Sequence, residues 1–186
     1  MTPAEYLKSE RVADEKHEFL GGELFAMSGG SHLHSLIATN LAGELRNRLK
    51  GKPGQTLNSD MRVKVVATGL YAYPDVQVAC GDLEFEDDHQ DSLLNPKVIV
   101  EVLSPTTASW DRGKKFWHYR HLESLADYVL VAQDEWLIEH YRLQPNGGWL
   151  LETVEGAGAT LRLESVGCEI PLAEIYEGTR LEAKAR

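Results

Sequence analysis

The sequence lacks most features that mark secreted, membrane-spanning or zinc-binding proteins. Its two cysteines, Cys80 and Cys168, are too few for a disulfide framework or a thiolate zinc site. No apolar run approaches the roughly 20 residues that a membrane-spanning helix requires, so we expect no membrane partner. The N-terminal segment is too rich in charge for a secretory signal. These absences predict a cytoplasmic protein.

Positive charge is also scarce. The 186 residues include 19 Lys and Arg against 29 Asp and Glu, which gives a formal net charge of −10. This negative charge argues against a protein that binds nucleic acid over most of its surface, although it allows one local basic groove. The candidates for phosphate contacts in such a groove are Arg46, Arg48, Lys50, Lys52, Arg62 and Lys64.

Hydrophobic periodicity predicts a chain that mixes helices and strands. Apolar residues recur every fourth position over 31–50, which predicts a long helix. Other helices are predicted from Pro3 onward, over 107–122 and over 172–176. Strands are predicted over 17–20, 23–27, 57–65, 73–80, 97–103, 128–131, 136–143 and 149–154. The acidic segment 82–91 is predicted to be a solvated loop.

The order of these elements indicates a single domain. Repeats and linker-like tracts are absent, so we expect one domain over 1–186. The fold class predicted from the element order is α/β (α+β) around a central sheet.

Glu101 is the residue that departs most from its surroundings, because the rest of 98–103 is typical of a buried strand. Alternation places Glu101 on the same face as Ile99 and Leu103. A buried unpaired carboxylate costs several kcal/mol, so a cation, a proton or a metal must compensate for it. A carboxylate in this strand is explained equally well by a satisfied ion pair, by an edge strand that exposes Glu101 to water, or by a functional site.

Asp75 follows Pro74 near the start of the strand predicted over 73–80. If this strand neighbours the Glu101 strand, the two carboxylates converge on one side of the sheet. Mg²⁺ takes one or two carboxylates and keeps several waters, which leaves room for phosphate oxygens. By itself, an aspartate after proline is also typical of a turn.

Lys115 and Tyr119 lie four residues apart and share a face of the helix predicted after the Glu101 strand. A lysine aimed at the carboxylates could orient a water and stabilise charge on a phosphate, whereas the alternative is a solvated basic face. Two further candidates are Glu23 in the hairpin and His34 near the start of the long helix. Each could instead be an ordinary hairpin or packing residue.

These residues together resemble a known family. The ordered segments are Tyr73-Pro74-Asp75, EVLSP at 101–105 and DRGKK at 111–115, followed by Tyr119. They are similar to the PD-(D/E)XK nucleases and, within that superfamily, to the bacterial endonucleases of the Uma-two family. Two more segments match that family, 18–24 and 128–134, so that the resemblance covers about 18–142.

The resemblance implies a restriction-endonuclease-like core over about 18–142, in which a central mixed β-sheet is flanked by helices. Extra C-terminal antiparallel strands and a short helix would follow over 143–180. It also implies that Asp75 and Glu101 ligate Mg²⁺ or Mn²⁺, with the carbonyl oxygen of Val102 as a further ligand.

The resemblance also assigns the other site residues. The superfamily places its lysine two residues after the glutamate, where this chain has Leu103, so the resemblance implies that Lys115 has taken over that function. Glu23 matches an N-terminal glutamate of the family that holds a water near the metal. His34 and Tyr119 match supporting positions.

The predicted function is metal-dependent hydrolysis of phosphodiester bonds by an endonuclease, with DNA as the partner. We expect a homodimer, since cutting both strands of a duplex needs two sites. One alternative is a catalytically inactive binding or assembly protein with a nuclease fold, which the net charge of −10 favours. Another is a glycosidase that uses Glu101 and Asp75 as its acid and base, although Lys115 would then have no role.

Overall fold

The computed structural model describes residues 1–181, so the end of the predicted domain, 182–186, lies outside it. The helices are α1 (Pro3–Glu10), α2 (His32–Leu49), α3 (Ala108–Trp110), α4 (Phe116–Tyr119) and α5 (Leu172–Ile175). A π-helical turn, Asp111–Lys115, joins α3 to α4, and a 3₁₀ turn spans Glu164–Val166.

The strands begin in the N-terminal hairpin and continue almost to the end of the described chain. They are β1 (His17–Leu20), β2 (Glu23–Ala26), β3 (Gly54–Asn58), β4 (Arg62–Val65), β5 (Leu70–Ala72), β6 (Val76–Cys80), β7 (Ser92–Leu93), β8 (Pro96–Leu103), β9 (Asp127–Ala132), β10 (Leu137–Leu143), β11 (Trp149–Glu155), β12 (Thr160–Leu163) and β13 (Cys168–Pro171). Within residues 1–181, no helix has the length and apolar character needed to cross a bilayer.

A six-stranded sheet forms the centre of the fold, in the order β11-β10-β9-β8-β6-β3. The β8–β9 pair is parallel, and its neighbouring pairs are antiparallel. Strand β8, which carries Glu101, is buried on both faces, as its nearly continuous apolar sequence predicts. The predicted central mixed sheet is confirmed.

Helix α2 covers one face of this sheet. Ser31 caps its N-terminus by accepting a hydrogen bond from the backbone N–H of His34 at 3.1 Å. The apolar stripe of α2 is buried, as the spacing of four residues predicts. Its members are Ile37, Leu41, Leu45 and Leu49. The antiparallel pair β12–β13 and helix α5 pack into the same hydrophobic cluster, which confirms the predicted C-terminal antiparallel strands.

The other face of the central sheet is covered by α4 and by a five-stranded sheet in the order β2-β1-β5-β4-β7. The turn between β1 and β2 needs Gly21 and Gly22, whose φ angles are +61° and +94°. The strand predicted over 73–80 begins later than predicted, since β6 begins at Val76 and 73–75 separate it from the end of β5 at Ala72. Pro74, which has no N–H to donate to a ladder, lies in this break.

The acidic segment 82–91 was predicted to be a solvated loop, and this prediction is wrong for part of it. Asp87 and Asp91 both pair with Arg11, at 2.7 and 2.8 Å. Glu86 pairs with Lys64 and accepts a hydrogen bond from the hydroxyl of Tyr71. The segment therefore holds α1 and the five-stranded sheet together.

Candidate active site

The two predicted carboxylates meet where β6 begins and β8 ends. These strands are antiparallel, and Val76 lies opposite Val100. The residue before Val76, Asp75, therefore lies opposite the residue after Val100, Glu101. Side chains that are opposite each other in such a pair project from the same face. The Asp75 carboxylate also accepts a hydrogen bond from the backbone N–H of Val102 at 2.7 Å, which fixes it against β8.

Glu101 is 4% exposed, and it has two polar partners on one oxygen. Its Oε1 lies 3.0 Å from the Nζ of Lys115 and accepts a hydrogen bond from the Tyr119 hydroxyl, also at 3.0 Å. The spacing of four residues therefore does place Lys115 and Tyr119 on one face, and that face is directed at Glu101. Tyr119 is fully buried, and burial raises the pKa of its hydroxyl well above the usual range, so it is a neutral donor.

Lys115 stands among three carboxylates. Its Nζ lies 2.9 Å from Glu18, 3.0 Å from Glu101 and 3.6 Å from Asp111. Burial alone would lower the pKa of this ammonium group, but the surrounding carboxylates raise it well above its ordinary value. Burial raises the pKa of Glu101 well above its usual range and raises that of Asp111 as well. The site thus has more negative charge than one lysine can balance.

The π-helical turn explains how Asp111 and Lys115 both reach the site. Such a turn is wider than an α-helical one and often occurs where side chains converge for function. Its start is held by a hydrogen bond from the Asp111 N–H to the carbonyl of Thr107 at 2.9 Å. The hydroxyl of Tyr128, on β9, donates to the Asp111 carbonyl at 3.0 Å, so the central sheet fixes the turn from below.

His34 completes the site from the first turn of α2. Its Nε2 lies 3.2 Å from the Asp75 carboxylate, and this hydrogen bond raises the pKa of the imidazole although burial opposes the shift. Ser31, which caps α2, donates to the side chain of Gln133 at 2.6 Å and so ties the helix start to the sheet.

A cavity of about 500 Å³ opens above these groups. The predicted site residues that line it are Asp75, Glu101, Val102, Lys115 and His34. Tyr119 lies beneath, in contact with Glu101.

Glu23 is the predicted site residue that the structure does not bring to this place. It is exposed at the start of β2 and is not among the described residues that line the cavity. Glu18, on the neighbouring strand β1, lines the cavity and contacts Lys115 instead. The physical reason is the hairpin: its turn separates the two glutamates, so that β1 lies inside the sheet and β2 forms its edge.

Asp111 is a site residue that our sequence reasoning missed. Its position four residues before Lys115 was the available signal, because residues at that spacing share a helical face. Glu18 gave no comparable signal, since only its tertiary contact with Lys115 distinguishes it from the other carboxylates of the hairpin.

The six basic residues that were candidates for phosphate contacts do not form a groove at this cavity. Arg62 is 3% exposed and pairs with Asp91 at 2.8 Å, and Lys64 pairs with Glu86. Arg48 pairs with Glu44 on the same helix, α2, and with Glu174 on α5. None of the six candidate basic residues is among the described residues that line this cavity. They were predicted from sign alone, whereas the fold uses Arg48, Arg62 and Lys64 in ion pairs.

The donor atoms at the site fit a hard divalent cation. Two carboxylates converge, and the N–H of Val102 faces Asp75, so the carbonyl of the same residue faces that edge too. Across residues 1–181, no three His, Cys, Asp or Glu side chains are grouped as a metal cage. Mg²⁺ takes one or two carboxylates and keeps several waters.

Comparison with known proteins gives a family and a fold. The model of the Uma2 (Uma-two) family, described as "Putative restriction endonuclease", matches residues 3–173. Two proteins of Synechocystis sp., both described as uncharacterized, are 37% identical over 178 residues and 35% identical over 161 residues. These alignments cover 96% of this chain and 92% of the first relative, and 87% of this chain and 91% of the second.

A solved structure shares the fold. It is the crystal structure of "a putative nuclease belonging to DUF820" from Anabaena variabilis, which is 16% identical, with a TM-score of 0.80. The match covers 96% of this chain and 99% of that one. The fold class predicted from the sequence is confirmed.

Proposed function

The chain belongs to the Uma2 family, and on that premise we propose that it is a metal-dependent nuclease that hydrolyses phosphodiester bonds in DNA. The observation that carries the proposal is the buried contact between Glu101 and Lys115, directly opposite Asp75. A glycosidase would have no use for a lysine held against its carboxylate, so this contact favours the nuclease over that alternative.

Mg²⁺ or Mn²⁺ would be held by the carboxylates of Asp75 and Glu101 and by the carbonyl oxygen of Val102. When bound, such an ion would neutralise charge on the scissile phosphate and lower the pKa of a water. The excess of negative charge around Glu101 supports this assignment, since burial, together with the carboxylates of Asp111, Asp75 and Glu18, raises the pKa of the Glu101 carboxyl well above the usual range.

The protein's own residues would position the reacting groups. Lys115, whose ammonium group stays charged, would hold the attacking water and stabilise charge on the phosphate. Glu18 and Asp111 would keep that ammonium group in place, because both contact Nζ independently of Glu101. His34 would orient Asp75 through the hydrogen bond that the two side chains share.

The test is cleavage of DNA by the full chain with Mg²⁺ or Mn²⁺, compared with Glu101→Gln. Glu101→Gln keeps the shape of the side chain, so we expect a loss of about a hundredfold or more, as for removal of one transition-state contact. Glu123→Gln is the matched control, because it makes the same change of charge at an exposed residue. A Glu101→Gln variant as active as the parent would remove the proposed site.

Calorimetric titration separates the nuclease from the catalytically inactive alternative. We expect heat of binding when Mg²⁺ or Mn²⁺ is added to the parent and little when it is added to Glu101→Gln. Absence of heat in both would favour a nuclease fold that serves only in binding or assembly. The predicted homodimer is a separate proposal, which light scattering on the purified protein tests directly.

A further inference from the structure

Glu101 and Lys115 lie at the bottom of a recess. Glu101 and Lys115 are 4% and 5% exposed, although the cavity above them measures about 500 Å³. Duplex DNA is stiff over roughly 150 base pairs and carries its phosphates on a convex surface, so a paired strand reaches such a depth only after deformation. An unpaired nucleotide can turn inward without that penalty.

Aromatic side chains form part of the walls of the recess. Phe25, on the edge strand β2, lines it and is 47% exposed. Trp110, at the end of α3, and Tyr73, before β6, line it from other elements of the fold. Flat aromatic surfaces beside a phosphate-binding site are the usual means by which proteins hold unpaired bases, because every base has a face that can stack.

A second recess, of about 800 Å³, continues along α2. The two recesses share the loop 27–30, His34 and Asp75, so they meet at one of the candidate metal ligands, Asp75. The lining of the second recess includes hydroxyl and amide side chains, among them Ser35, Thr39, Asn58 and Ser59. The two recesses together form one track, which suits a flexible strand.

Cations are few along this track. Among the described residues that line the two recesses, the lysines are Lys16 and Lys115, and there is no arginine. Lys115 is held by carboxylates, and Lys16 contacts the carboxylate of Asp60 at 2.6 Å. Binding without sequence preference gains affinity from Lys and Arg contacts to phosphates in single strands as in duplexes, so this scarcity does not distinguish the two.

From the depth of the site and its aromatic walls we infer that the substrate of this site is single-stranded DNA. One unstacked base would lie against Phe25, and the strand would continue along α2. This inference rests on the proposed nuclease function and gives its substrate class. A single strand is cut by a single site, so the inference does not require the homodimer.

The experiment measures binding of the full chain to an oligodeoxynucleotide of about 12 residues that contains 2-aminopurine, free or annealed to its complement. Ca²⁺ replaces Mg²⁺, because it binds oxygen ligands with a different size and geometry and should slow cleavage. We expect the single strand to bind about tenfold more tightly than the duplex, or better, with the quenching that stacking causes.

Phe25→Ala should weaken binding of the single strand about tenfold, as loss of one stacked base predicts. Leu24→Ala is the matched control, since Leu24 is 41% exposed on the same strand and does not line the described cavity. The inference is overturned if the duplex binds as tightly as the single strand, or if the two variants weaken binding equally.

Cleavage assays with Mg²⁺ distinguish this inference from the proposed function. Equal cutting of the single strand and the duplex would overturn the single-strand inference and leave the nuclease standing. Tight binding of the single strand, with neither substrate cut in Mg²⁺ or Mn²⁺, would overturn the nuclease function and leave the binding preference supported.

Discussion

At the scale of single residues, Lys115 is a larger determinant of stability than any one carboxylate around it. Its removal would leave Glu18, Glu101 and Asp111 buried without a cation. We therefore expect Lys115→Met to destabilise the fold by about 3–5 kcal/mol in urea unfolding, the range for breaking a buried pair. Lys114→Met, at the exposed neighbouring position, should change stability little. Equal effects of the two variants would show that the charge of Lys115 does not stabilise the carboxylates around it.

Glu101 should behave in the opposite way, and its effect should depend on pH. Burial holds its folded-state pKa well above the usual 4.5, so between these two values the folded state binds more protons than the unfolded state. The parent therefore loses stability as the pH rises through this interval. Glu101→Gln cannot ionise, so its stability relative to the parent should increase from about pH 4.5 upward. Urea unfolding at a series of pH values measures this, and a difference that stays constant with pH would contradict it.

At the scale of elements, the start of α2 is what positions His34, and Gly30 is the residue that permits it. A Cβ at Gly30 would lie 2.7 Å from Nδ1 of His34, so Gly30→Ala must displace the ring and weaken its hydrogen bond to Asp75. We expect the pKa of His34 to fall toward its usual 6.5, as followed by NMR titration. Gly29→Ala is the control, since a Cβ there meets nothing within 4 Å. The same pKa in both variants would contradict this account.

The elements also show which parts of the site the sequence can predict. Helix α2 was predicted over 31–50 and spans 32–49. The prediction is close because both of its signals are local: an apolar residue at every fourth position, and the Ser31 cap. The helix predicted over 107–122 has a π-helical turn in its middle, and nothing in the spacing of its apolar residues distinguishes that turn from an α-helical one. Glu101, Asp75 and Lys115 were identified because each interrupts a local pattern or matches a motif. Glu18 and the true partners of the arginines depend on tertiary contacts, so the sequence alone did not predict them.

At the scale of the whole molecule, the net charge of −10 means that Mg²⁺ will screen repulsion even without a specific site. A specific site adds to this: at a concentration of 100 times Kd, a bound ion stabilises the fold by about 2.7 kcal/mol. For a domain of this length, that corresponds to a rise in Tm of roughly 5–10 °C.

We expect Mg²⁺ to produce this rise in the parent and in Glu123→Gln, whereas Glu101→Gln should show only the smaller screening effect. The extra rise should grow with pH, because ligation requires the ionised form of a carboxyl whose pKa burial has raised. Equal rises in all three proteins, measured by thermal unfolding, would mean that the ion acts on the acidic surface and not between Asp75 and Glu101.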